Sequence, residues 1–116
     1  MRQNCENARW DGLGIDFIKK IKPIFLKNSL LYISHMEKAV EENDYQAIKF
    51  YAHKLHGSAA TIGAIKIESA TLEIEESTLN DSNKGMIIKK ISSLSDLLTT
   101  YDNCVIEYIN EFESNP

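Results

Sequence analysis

The tightest constraint on the fold is the spacing of apolar residues toward the C-terminal end. Ile87, Ile91, Leu94, Leu98, Tyr101, Val105, Tyr108 and Phe112 recur at alternating intervals of four and three. That spacing draws one narrow stripe along a helix, the a/d seam of helices packed at shallow angles. The helix it predicts, over about 84–112, is about 40 Å long at 1.5 Å per residue. Its aromatic members, Tyr101, Tyr108 and Phe112, are read as core, the usual fate of aromatics at heptad spacing.

The rest of the chain supplies partners for this helix. From Leu13 an apolar stripe of Phe17, Ile18, Ile21, Ile24 and Phe25 has helical spacing, and Pro23 interrupts it. The residue before a proline resists the α region, while proline is tolerated in a first turn. The reading is a short helix at about 13–21 and a second at about 23–42, with one kinked helix as the alternative. The second helix carries Leu26, Leu30, Ile33, Met36 and Val40 and closes at Glu41-Glu42-Asn43. Asp44 is a good N-cap for the helix that follows to about Thr61, and Gly63 sits where a left-handed residue ends it. A further helix at about 64–79 sets Ile65, Ile67, Ala70, Leu72 and Ile74 against an acidic set of Glu68, Glu73, Glu75 and Glu76. Residues 80–85 form a polar turn. Residues 1–12 read as a flexible N-terminal arm with Trp10 as its anchoring side chain, and 13–116 as the bundle. Short links between long amphipathic helices predict an all-α fold, an antiparallel four-helix bundle with an additional short N-terminal helix.

Composition narrows the function. With 116 residues the chain can build one domain with its own core. A formal net charge of -4 argues against nucleic acid, whose phosphates select basic surfaces. No apolar run approaches the roughly 20 residues that span a bilayer, so no membrane contact of its own is expected. Met1 to Asp11 lacks an apolar signal core, which leaves a cytoplasmic location. Two cysteines, Cys5 and Cys104, lie outside any CxxC pattern. Reduced thiols are the simplest expectation, with one disulfide as the alternative.

The chemistry concentrates between Tyr51 and Ala64. At about 100° per residue, Gln46, Lys49, His56, Gly57 and Ala60 share the face of His53, while Ile48, Tyr51, Leu55, Ser58 and Ile62 lie opposite. A glycine inside a helix costs roughly 1 kcal/mol relative to alanine. Close approach of another body to His53 is a natural reason to carry it. The plain alternative is a surface histidine of no special role. An imidazole ordinarily titrates near pH 6.5, and its neutral ring nitrogen is a competent nucleophile. The electrophile must come from outside, because no GxxxxGK[ST] loop is present.

The run Ala52-His53-Lys54-Leu55-His56-Gly57-Ser58-Ala59-Ala60-Thr61-Ile62-Gly63-Ala64 resembles the signature of histidine-containing phosphotransfer (HPt) domains, His-x-Leu-Lys-Gly-Ser-x-x-x-hydrophobic-Gly-Ala. Asp44 opening the histidine helix and Leu72-Glu73 in the next extend the resemblance over most of the chain. It implies a four-helix bundle with an extra N-terminal helix, acting as a phosphorelay carrier rather than a free-standing kinase. The phosphoryl group would arrive from a receiver-domain aspartate, rest on Nε2 of His53 and pass to another receiver. Receiver domains of response regulators and a hybrid sensor kinase are then the expected partners, and a monomer the expected state. Gly57 becomes the clearance residue, and Gln46 and Ala60 part of the partner surface. Glu75 matches the polar position that hydrogen-bonds the other ring nitrogen, provided it faces His53; otherwise it is one more solvated charge.

The chain departs from the family at one place. His56 stands where a lysine is usual, and the nearby lysines are Lys54 and Lys49. A fixed positive charge helps offset the phosphoryl group's charge, and His56 supplies one only when protonated. A metal reading of His53 and His56 with Glu75 or Glu76 falls short of the four ligands of structural zinc, and His35 lies on another helix. No metal or cofactor is expected. A hydrolase has neither a nucleophile elbow nor a third partner residue. The rival from another class is a non-catalytic helical adaptor that binds through the His53 face.

Overall fold

The computed structural model describes residues 8–10, 12–79 and 84–114. Four helices follow one another: α1 (Ile15–Glu41), α2 (Tyr45–Ile62), α3 (Ile65–Ser77) and α4 (Lys84–Ser114), with no strand among the described residues. Each packs on its two neighbours in a ring, α1 on α2, α2 on α3, α3 on α4 and α4 on α1. The links α1–α2 and α2–α3 are too short for anything but antiparallel neighbours. Cross-contacts agree: Lys19 near the start of α1 pairs with Glu113 near the end of α4, and Lys90 early in α4 pairs with Glu73 late in α3. The molecule is an elongated bundle of 54 × 24 × 20 Å.

The all-α bundle is the fold expected, but the additional short N-terminal helix is not separate. Residues 15–21 are the first two turns of α1, which runs straight through Pro23. Proline forfeits one backbone hydrogen bond inside a helix. Both Pro23 and Lys19, whose carbonyl is released, are exposed, so water can take that acceptor. Ile18 and Phe25 on either side are buried in the same core, and their burial holds the two stretches in line. The α1 stripe also differs from the one expected. Leu30, Phe17 and Ile24 are exposed, and the buried face is Ile18, Phe25, Ser29, Ile33, Met36, Ala39 and Val40. Ser29 is tolerated there because its hydroxyl donates to the Phe25 carbonyl at 2.6 Å.

The caps follow the sequence. Asp44 accepts a hydrogen bond from the Ala47 N–H at 3.0 Å, and Gly63 ends α2 at φ 73°. A Cβ on Gly63 would lie 1.8 Å from the Arg9 carbonyl oxygen, so both the backbone angle and the neighbour require glycine. In α4, Ile87, Ile91, Leu94, Leu98, Tyr101 and Val105 are buried as the seam predicts. Tyr108 is only half-buried, and Phe112, expected in the core, is exposed on the last turns of α4. The polar turn at 80–83 and the arm at 1–7 and 11 lie outside the described residues. At Ala8–Trp10 the arm is docked: the Arg9 N–H donates to the Gly63 carbonyl at 2.7 Å, and the Trp10 ring lies 4.5 Å from that of Tyr108. Cys104 is disulfide-bonded, which corrects the expectation of a reduced thiol there.

Tyr101 joins these parts. It is fully buried, its hydroxyl donates to the Ile62 carbonyl at 2.6 Å, and it accepts from the Trp10 indole N–H at 3.1 Å. Burial pushes its phenol up from 10.0 to about 12, against a smaller lowering by the Trp10 hydrogen bond. The folded protein thus keeps this proton where the unfolded chain has released it. Stability must therefore fall as pH rises from about 10 to about 12. We expect Tyr101→Phe to cost about 1–3 kcal/mol at neutral pH, by leaving the Ile62 carbonyl without this donor. The variant should also lose less stability than the parent between pH 9 and 11. Urea unfolding at both pH values measures each effect.

Candidate functional site

The buried face of α2 is Ile48, Ala52, Leu55, Ala59 and Ile62, which turns His53 outward. The His53 side chain is 75% exposed, and its Nδ1 lies 2.8 Å from Oε1 of Glu75, itself only 12% exposed. A carboxylate only accepts, so Nδ1 carries the proton and donates it. Nε2 is then left with its lone pair. Glu73, two residues earlier, is paired with Lys90, and Glu75 is the α3 carboxylate bonded to the ring. The sequence could name Glu75 only as a position; the antiparallel register of α2 and α3 brings it to the ring.

Gly57 is exposed, and a Cβ built on it would meet nothing within 4 Å. Nothing among the described residues requires glycine here. The Thr61 hydroxyl donates to the Gly57 carbonyl at 3.0 Å, which leaves the helix intact through this point. Gln46, Lys49 and Ala60 are likewise exposed along the same face. Lys54 is exposed too, but its Nζ sits 4.9 Å from the centre of the Phe50 ring, a cation–π contact. Phe50 is a surface aromatic that sequence reasoning passed over. Its spacing of seven from Gly57 puts both on one helical face, about 20° apart, which was the available signal.

His56 is turned toward α3 rather than left free. Its Nδ1 lies 3.0 Å from the Glu68 carbonyl oxygen, to which it donates. The ring ties α2 to α3 and forms part of the wall of a cleft of about 490 Å³ that also involves Arg9, Leu13, Ala60 and Leu72. Arg9 and Leu13 had no place in the sequence-level site, since only the docked arm brings them there. No group of three or more histidine, cysteine, aspartate or glutamate side chains among the described residues could hold a metal ion.

An exposed imidazole, oriented by a carboxylate on the next helix and flanked by a glycine with open space before it, stands on the outer face of a four-helix bundle. Comparison with known proteins gives the class. The Hpt domain family matches residues 21–103, and the chain belongs to that family. It is also similar to histidine-containing phosphotransfer protein 1 of Oryza sativa subsp. japonica, with 24% identity over 79 residues, 66% of this chain. The chain covers 54% of that relative's length. No solved structure gives a significant match.

Two stability changes test the local reading. With open space at its Cβ, Gly57→Ala should raise stability by about 0.5–1 kcal/mol, the helix-propensity difference. His56→Ala should lower it by about 1 kcal/mol through loss of the hydrogen bond to α3. Chemical denaturation of the two variants beside the parent reads both signs.

Proposed function

We propose that this protein is a phosphorelay carrier in which His53 takes a phosphoryl group from the aspartyl phosphate of one receiver domain and passes it to the aspartate of another. The observation that carries this reading is the His53–Glu75 hydrogen bond of 2.8 Å beside the uncovered Gly57. Glu75 fixes the tautomer, and the missing side chain at Gly57 leaves room for a partner's active site to come close.

In the forward step the Nε2 lone pair attacks phosphorus in line with the scissile bond. The N–P bond forms as the P–O bond to the receiver's aspartate breaks, and the bonding electrons return to that carboxylate. The reverse sequence charges the next receiver. The ring gains positive charge as Nε2 bonds to phosphorus, and the Glu75 carboxylate at Nδ1 offsets it. Positioning carries most of such a transfer, so the rigid ring and the uncovered helix surface matter more than any added reactive group. Lys49 is exposed on the His53 face and supplies the fixed charge that the family's usual lysine would give, because the Nδ1 of His56 is committed to α3. Residues 13–116 serve as the carrier unit. It acts as a monomer, with receiver domains of response regulators and a hybrid sensor kinase as partners, in the cytoplasm. No described helix is long and apolar enough to cross a membrane.

Incubation with a phosphorylated receiver should place acid-labile, alkali-stable phosphate on the protein, and a pure adaptor would take none. His53→Gln should abolish acceptance while leaving helix content unchanged and stability within about 0.5 kcal/mol. Retained acceptance in that variant would sink the assignment. Gly57→Gln should remain folded and slow single-turnover transfer, since its side chain occupies the approach to His53. A rate equal to the parent's would assign the glycine some other purpose. Glu75→Ala should slow acceptance by on the order of tenfold or more through loss of ring orientation and charge compensation.

A further inference from the structure

The cleft of about 490 Å³ that Arg9 and Leu13 form with α2 and α3 has no part in the chemistry proposed for His53. Its volume lies in the roughly 300–1,000 Å³ range of small-molecule sites. Leu13, Ile65 and Leu72 give it apolar sides. Among the described residues that line it, Arg9 is the one fixed cation and Glu68 the one carboxylate. Among the described residues no ion pair joins the two. Arg9 is held in place by its backbone, whose N–H donates to the Gly63 carbonyl at 2.7 Å, so docking does not consume its guanidinium. Glu68 stands in the first turn of α3, just beyond Gly63, and so close to the point where Arg9 is attached. The ring of His56 completes the polar set. Its Nδ1 donates to the Glu68 carbonyl at 3.0 Å, which leaves Nε2 as an acceptor.

We propose that this cleft binds the zwitterion of a free α-amino acid with an apolar side chain. The argument is one of sign. A ligand with only a negative charge is repelled by Glu68, and one with only a positive charge is repelled by Arg9. A small molecule that carries both charges side by side satisfies both walls. The guanidinium of Arg9 takes the carboxylate, for which its fork of N–H donors is suited. The carboxylate of Glu68 and Nε2 of His56 accept from the ammonium, which has three donors to place. An aliphatic side chain is then covered by Leu13, Ile65 and Leu72.

Arg9 is exposed, so water screens part of the attraction and the affinity is that of a sensor for an abundant metabolite rather than of a tight carrier. Occupancy bears on the helix that carries the nucleophile, because His56 lies one turn along α2 from His53 and ties that helix to α3. Binding itself involves no phosphoryl group and no receiver domain. Its test therefore stands apart from the carrier reading, and either can fail without the other.

The probe is L-leucine, titrated into the full-length protein while backbone amide chemical shifts are recorded by NMR. Two analogues separate the charges: 4-methylpentanoate lacks the ammonium, and 3-methylbutylamine lacks the carboxylate. L-Leucine should saturate the site with a Kd on the order of 1 mM, as suits so small a ligand. The shifts should concentrate at Arg9, His56 and Glu68, and each analogue should bind about tenfold more weakly or worse. Arg9→Gln and Glu68→Gln should each weaken L-leucine by about tenfold with helix content unchanged, since both residues hold the fold through backbone atoms. Failure of L-leucine to saturate at concentrations up to on the order of 10 mM, shifts centred elsewhere, equal binding of either analogue, or unchanged affinity in either variant would overturn the amino-acid site.

Discussion

The link of two residues between α2 and α3 governs the rest of the structure. Gly63 turns the chain with a left-handed backbone, and Ala64, fully buried, opens the return helix. So short a turn forces α2 and α3 to run antiparallel in one register. That register sets His56 against the Glu68 carbonyl and, one turn further from the link, His53 against Glu75. The same turn offers its carbonyls to the other parts of the molecule, Ile62 to the Tyr101 hydroxyl and Gly63 to the Arg9 N–H. A slip of one residue would carry Glu75 about 100° away around α3 and leave the ring without its acceptor.

The site is accordingly rigid beneath and open above. Beneath His53, the α2 residues Ala52, Leu55 and Ala59 are fully buried, so the helix has little freedom to rotate. Above it, Gly57 contributes no atoms beyond the backbone and Ala60 only a methyl. The proposed role as a carrier between receiver domains would gain from this division. His53 is oriented from within, and the outer surface leaves the approach that such a partner would need. The exposed ion pairs Lys19–Glu113 and Lys90–Glu73 add little to stability, since water screens them. The burial of the seam residues of α4 contributes far more.

His56 shows why a family pattern cannot be carried over by position alone. At the place of the usual lysine it has the right helical phase to face a phosphoryl group. In the folded protein its Nδ1 is bound to the α3 backbone, and the ring works as a tie between helices. Lysine, with a flexible stem and no ring to wedge between helices, would not make the same tie. The lysines of α2, Lys49 and Lys54, are both exposed, the second of them drawn toward Phe50.

Several features were legible in the sequence because they depend on local rules. The four-and-three spacing of Ile87 through Val105 marks a buried helical face whatever it packs against. Asp44 and Gly63 mark helix ends because their side chain and backbone angle answer needs of the helix itself. His53 falls on the polar side of α2 by periodicity alone. What periodicity left open was decided by neighbours distant in the chain. Pro23 was expected to divide a helix, yet Ile18 and Phe25 share one core and the freed carbonyl faces water, so α1 is continuous. Leu30 and Phe112 fit an apolar stripe but find no helix opposite them, because the stripe of a straight helix drifts and α4 runs to Ser114, its last turns leaving Phe112 uncovered. Trp10 was legible as the arm's anchor, but whether Glu75 meets His53, and which groups of the bundle Arg9 and Trp10 touch, could not be read from order along the chain. Those contacts join residues 22, 54 and 91 positions apart, and only the packing of the helices brings such residues within hydrogen-bonding distance.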